Sequence, residues 1–213
     1  MTQKNSKDDG IDRYHDMDFE ADKASQLKQI YADWAATYDQ DNDDTLGTVS
    51  QPTTVEMFAR HCADPNAKII DVGCGTGLVG QHLESAGYRN FDGTDPSLEM
   101  LEQAKARDYR NLFLLESDQP LPVADQSYDA TLCVGVFTHG HLGSEGIDEL
   151  IRVTKHNGLI CFTVNEGVWE SGEFEQAINT HTQQGRWKIL EMQRRDYMVK
   201  EQVQAWYIAA QKT

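Results

Sequence analysis

The chain has 213 residues, enough for one domain of ordinary size and too few for two large ones. Its formal charge of −16 opposes binding to a phosphate backbone, which attracts proteins through Lys and Arg, so nucleic acid is not expected as a partner. No run of about 18 apolar residues occurs, which excludes a membrane-spanning helix, and Cys62, Cys74, Cys133 and Cys161 form no CxxC pair, so neither a metal site nor a disulfide framework is expected.

Residues 1–22 are rich in Lys, Asp, Asn and Gln, with no apolar run of the signal-peptide kind, so they read as a polar, flexible tail on a cytoplasmic protein. Leu27, Ile30, Tyr31, Trp34 and Tyr38 then recur at steps of three and four, which places them on one face of a helix. The acids and amides from Asp39 to Asp44 read as a surface loop after that helix. A second helix is expected from about Thr53 to Cys62, with Val55, Met57, Phe58 and Ala59 as its apolar content.

From Lys68 the pattern changes to short apolar strands separated by helices, with Gly and Asp at the joints, the sequence form of a parallel sheet covered on both faces. The expected strands are 68–72, 90–94, 111–115, 129–134, 158–164, 187–192 and 203–210. Helices are expected at 78–85, stopped by Gly87, beyond Ser97 with Leu98, Met100, Leu101 and Ala104, at 146–154 and at 173–182. The last two strands meet at a hairpin-length turn near Lys200 and Glu201, which suggests an antiparallel addition to the sheet. Gln193, Arg194 and Arg195 form the one basic cluster, read as a solvated strand edge.

Gly73, Gly75 and Gly77 follow the first strand and lead directly into a helix. Glycines there let the backbone lie against a ligand, and the free N–H groups of the helix start favour an anion. Asp95 ends the second strand, where a carboxylate can accept hydrogen bonds from both hydroxyls of a ribose, or else cap the next helix at Pro96 and Ser97.

The run Asp71-Val72-Gly73-Cys74-Gly75-Thr76-Gly77 resembles motif I of the class I S-adenosylmethionine (SAM)-dependent methyltransferases, and Phe91 to Asp95 resembles their acidic segment after it. Ser117-Asp118-Gln119, followed by Leu121 to Asp129, is similar to the loop that passes the adenine. Residues 31–39, Tyr-Ala-Asp-Trp-Ala-Ala-Thr-Tyr-Asp, resemble the Williams–Beuren-region methyltransferase-like subgroup. The resemblance implies a Rossmann-like α/β fold, with a seven-stranded mixed sheet of order 3-2-1-4-5-7-6 and an antiparallel last strand. It also implies a single domain over 23–213 with an N-terminal helical cap at about 23–64.

The same resemblance implies SAM as cofactor, leaving as S-adenosylhomocysteine. Gly73, Cys74, Gly75, Thr76 and Gly77 would flank its methionyl part and Asp71 would support its amino group. Asp95, beside Pro96, would hold the ribose, while Asp118, with Ser117 or Gln119 as alternatives, would bond the adenine. Met100, Val123 and Val134 would pack nearby, and Tyr31 and Tyr38 would face the methionine end from the cap.

The resemblance also implies that residues 134–141, after the fourth strand, lie where an acceptor would meet the methyl group. Alignment in a dry site does most of the work for a sulfonium donor, and a base is needed only for a protonated acceptor, with His139 ahead of His141 as candidate. The Asn/Asp-Pro-Pro-aromatic segment of nucleic-acid amino methyltransferases is missing, so a small molecule or protein side chain is the expected acceptor, chosen by loops at 39–52 and 135–145.

Two other readings remain. Gly75 to Gly80 satisfies the GxGxxG of nicotinamide-dependent oxidoreductases, although no tyrosine is followed four positions later by lysine. A SAM-binding partner or regulator that transfers nothing also fits these residues.

Overall fold

The computed structural model describes residues 23–115 and 119–213. The expectations for residues 1–22, Ser117 and Asp118 lie outside the described residues. Among these, no helix is long and apolar enough to cross a membrane.

Helix α1 (Lys23–Trp34) is followed by a short α2 (Tyr38–Asp41), which runs into a π turn at Asn42–Leu46. The surface loop expected at 39–44 is therefore helical, and Asn42 is buried. Its polar groups have partners that no local pattern shows. Asp41 Oδ2 accepts from Trp34 Nε1 at 2.7 Å and from Thr37 Oγ1 at 2.9 Å, and Asn42 Nδ2 donates to the Tyr38 carbonyl at 2.9 Å. Lys200 Nζ donates to the carbonyls of Asp43 and Asp44.

Helix α3 (Ser50–His61) begins earlier than expected, because Pro52 fits its first turn, where the missing N–H has no helical partner to lose. Thr54, Val55, Met57 and Phe58 face the core, whereas Ala59 is exposed.

Strand β1 (Ile69–Val72), α4 (Leu78–Ser85), β2 (Phe91–Asp95), α5 (Leu98–Ala104) and β3 (Leu112–Leu114) follow. Next come β4 (Tyr128–Phe137), α6 (Gly146–Val153), β5 (Thr154–Asn165), a short α7 (Glu166–Trp169), α8 (Glu173–Gln183), β6 (Trp187–Met198) and β7 (Val203–Lys212). In α5, Met100, Leu101 and Ala104 are buried and Leu98 is exposed.

The seven strands form one sheet of order β3-β2-β1-β4-β5-β7-β6. Neighbours from β3 to β5 are parallel, and β7 runs antiparallel to both β5 and β6. This order separates the fold from the dinucleotide-binding order 3-2-1-4-5-6, and with it from the oxidoreductase reading of the glycines. β6 extends past Met192 through Gln193, Arg194 and Arg195, because an edge strand can leave one face and one edge in water.

Successive residues of each strand enter opposite cores. Ile69, Leu132, Cys161 and Ala209 pack with Val55, Phe58 and Leu83 from α3 and α4. Ile70, Cys133, Ile160 and Ile208 pack with Ile147, Leu150, Phe174 and Ile178 from α6 and α8. Helix α1 lies against α5.

Candidate cofactor and acceptor site

β1 ends at Val72, and the chain turns through residues 73–77 into α4 with Gly73, Gly75 and Gly77 at φ of 72°, 55° and 93°. A Cβ on Gly73 would collide with Val136 Cγ2, whereas one on Gly75 would meet nothing within 4 Å. The turn is thus packed on β4 at one glycine and open at another. Gly73 N–H and Cys74 N–H both donate to the Thr94 carbonyl at 2.8 Å, tying the turn to the end of β2.

Asp95 completes that tie. Its Oδ2 accepts from Gly75 N–H at 2.9 Å and its Oδ1 from Ser97 N–H at 2.8 Å. Burial pushes its pKa up to about 6, against the pull of those two N–H groups. Asp95 does not cap α5. Ser97 does, accepting from Met100 N–H at 3.2 Å.

Asp71, one strand over, is fully buried. Its Oδ2 accepts from Tyr109 Oη at 2.6 Å, and its Oδ1 has no partner. Burial raises its pKa to about 7, the Tyr109 hydroxyl lowers it, and the nearby Asp95 charge raises it. An unpaired buried carboxylate oxygen costs free energy until a donor reaches it.

The cap docks on the turn through Asp39. Its Oδ1 accepts from Thr76 Oγ1 at 2.5 Å and its Oδ2 from Arg107 Nη2 at 2.7 Å. Among the other expected site residues, Cys74, Met100 and Val134 are buried, while Pro96 and Gln119 are exposed. Val123 is partly buried against the second core.

A second cluster lies beyond β4. Tyr31 stacks on Trp34 with ring centroids 5.9 Å apart, meets Tyr38 at 6.1 Å and meets His141 edge-on at 5.4 Å. The expected aromatic face therefore forms although α1 stops at Trp34. His141 Nδ1 lies 3.0 Å from the His139 carbonyl, and burial lowers its pKa below the usual imidazole value. Gly135 donates to Thr163 Oγ1 at 3.0 Å, and a Cβ there would lie 3.2 Å from Tyr197 Oη.

His139 is placed differently. Its imidazole leans on Gly167 at the start of α7, where a Cβ would collide with Nε2. The structure thus brings Asp71, the glycine turn and Asp95 together, and sets Tyr31 against both Tyr38 and His141. Sequence reasoning missed Asp39, Arg107 and Tyr109. One signal was available for the tyrosine: Gly93 lies inside β2, and an isolated strand glycine marks a close approach by another group.

Residues 70–162 match the family model described as a methyltransferase domain. The chain is 35% identical over 173 residues to methyltransferase-like protein 27 of Homo sapiens, covering 78% of this chain and 70% of that protein. With the sheet order above, these matches show that the chain belongs to the class I SAM-dependent methyltransferases.

It is also 28% identical over 138 residues to a malonyl-[acyl-carrier protein] O-methyltransferase of Pectobacterium atrosepticum, spanning 51% of that protein and 64% of this chain. A solved Thermotoga maritima structure, described as a SAM-dependent methyltransferase and possible histamine N-methyltransferase, aligns with a TM-score of 0.60 and 17% identity. That alignment covers 87% of this chain and 99% of that one. The [4+2]-cyclase SpnF aligns with a TM-score of 0.65 and 17% identity over 89% of this chain and 96% of its own, so the shared fold does not specify one reaction.

Proposed function

We propose that this chain binds SAM along the turn at 73–77 and transfers its methyl group to a small molecule or a protein side chain. The observation that carries the reading is the pair of buried carboxylates at adjacent strand ends, Asp71 and Asp95, on either side of a glycine turn that is open at Gly75.

These residues suit the cofactor. The partnerless Oδ1 of Asp71 can accept from an ammonium group, and Asp95, fixed by Gly75 and Ser97, keeps lone pairs for ribose hydroxyls. Asp118, or in its place Ser117 or Gln119, would supply the adenine contact. When bound, SAM supplies a methyl group already activated on a sulfonium.

The protein's part is to align the acceptor and keep water out. Tyr31, Trp34 and Tyr38 on the cap, with the β4 loop around Gly135, would form the wall on the acceptor side. For an acceptor that arrives protonated, His141 is the better-placed base. With Nδ1–H donating to the His139 carbonyl, Nε2 is left as an acceptor, and burial keeps the ring neutral at physiological pH.

Calorimetry with SAM, S-adenosylhomocysteine and NAD tests the binding, with the first two expected to bind and NAD not. A panel of carboxyl, hydroxyl and amine acceptors, scored as S-adenosylhomocysteine release, tests the transfer. Binding without turnover on any acceptor would favour a SAM-binding partner protein, and preference for NAD would end the reading.

A further inference from the structure

Tyr109 lies between α5 and β3, outside every motif discussed above, yet its hydroxyl joins the two ends of the glycine turn. It donates to Asp71 Oδ2 at 2.6 Å and accepts from Gly80 N–H in the first turn of α4 at 3.0 Å. Its ring stands edge-on to Phe91, with centroids 5.0 Å apart.

The ring occupies a slot made by three glycines. A Cβ on Gly77 would lie 2.8 Å from Tyr109 Cε2, one on Gly80 would lie 2.5 Å from the same atom, and one on Gly93 would lie 2.9 Å from Cδ1. Contacts that short are not sustained by real Cβ atoms, so any side chain at these positions would displace the phenol. The glycines at 77 and 80, which satisfied a dinucleotide pattern, thus make room for a tyrosine.

Filling the slot would need only a phenyl ring. A buried hydroxyl with both its hydrogen bonds made, one of them to a carboxylate, points to a further task. We propose that Tyr109 is a positioning residue of the cofactor site, holding Asp71 so that its Oδ1 faces the amino group at the methionine end of the ligand. The proposal rests on the SAM reading given above.

The groups that face Asp71 support this. They are Asp95 from β2, Tyr109 itself, Cys74 from the turn and Cys133 from β4. Burial holds both thiols and the phenol in their neutral forms. None of these groups is a cation, so an ammonium group brought by a ligand would be the charge that complements Asp71. Tyr109 favours the ionised carboxylate that such a ligand needs.

The test is Tyr109→Phe, which keeps the ring in its slot. Calorimetry compares S-adenosylhomocysteine with 5′-methylthioadenosine, which retains the adenosine and sulfur but lacks the amino-acid end. The variant is expected to bind the first about tenfold more weakly. Binding of the second is expected to change by less than about twofold, since of the two lost bonds the one from Gly80 N–H reaches only α4 and the one to Asp71 serves the amino-acid end. Equal losses for both ligands, or no loss for either, would overturn the proposal.

A second measurement needs no ligand. With 13C-labelled aspartate, the titration midpoint of Asp71 is expected to rise by about one pH unit in Tyr109→Phe. An unchanged midpoint would refute the contact. Failure of the unaltered protein to bind S-adenosylhomocysteine would instead count against the function proposed above, while the carboxyl titration would still decide whether Tyr109 holds Asp71.

Discussion

Replacing Asp71 by Asn removes a charge from the driest part of the site while keeping its shape. In the folded, ligand-free protein the Asp71 carboxyl has its pKa raised to about 7. In the unfolded chain it returns to about 3.9, and each unit of difference is worth about 1.36 kcal/mol. A raised folded-state pKa means that the native protein binds the extra proton. The stability this contributes is fully present below about pH 4 and is lost as pH rises through about 7.

At pH 8 the buried charge therefore costs up to about 4 kcal/mol, which Asp71→Asn does not incur. Urea unfolding at pH 4.5, 6 and 8 without ligand measures this. The stability of the variant relative to the unaltered protein should move in the variant's favour by roughly 2–4 kcal/mol across that range. A fixed penalty from the new amide, about 1–3 kcal/mol if its N–H finds no acceptor, shifts all three points equally. A difference that stays constant within about 0.5 kcal/mol across the series would show that Asp71 ionises as it would in water, and would remove the desolvated carboxylate from the reasoning.

Asp95→Ala should weaken S-adenosylhomocysteine binding by about 1.5–3 kcal/mol in calorimetry, and unchanged affinity would remove Asp95 from the site. Asp39→Ala breaks the cap's bonds to Thr76 and Arg107, whose ion pair is partly exposed. It should cost at most about 1 kcal/mol of stability and speed amide exchange over residues 38–46, which is readable by mass spectrometry. With a protonated acceptor, His141→Ala should lower turnover by about 10²–10⁴ and His139→Ala much less, both without loss of cofactor affinity. Because burial lowers the His141 pKa, the acid limb of the rate profile should fall below the ordinary imidazole value of 6.5. A larger loss from His139→Ala would reverse the assignment.

The strands and most helices were legible because their signals are local. Apolar runs between Gly and Asp joints mark buried parallel strands, and the matched segments at 69–72, 91–95 and 203–212 differ from expectation by a residue or two at their ends. The acidic run at 39–44 was misread for the opposite reason. Its composition suits a solvated loop, and its helical form depends on bonds to Trp34, Thr37 and Lys200. α3 starts three residues before the expected Thr53, with Pro52 in its first turn, where a missing N–H breaks no helical bond.

By itself the sequence determined the strand positions, the glycine turn and the two strand-end acids, since each depends on residues a few positions apart whose conformations and burial follow from type and spacing, whereas the sheet order rested on the family resemblance. Only the tertiary structure decided which groups complete the site. Tyr109 reaches Asp71 across 38 positions and Asp39 reaches Thr76 across 37, and neither pairing has a spacing that local chemistry prescribes. The seating of His139 against Gly167 and of His141 against Tyr31 belongs to the same class, because two residues in one loop can be sent to different neighbours by packing alone.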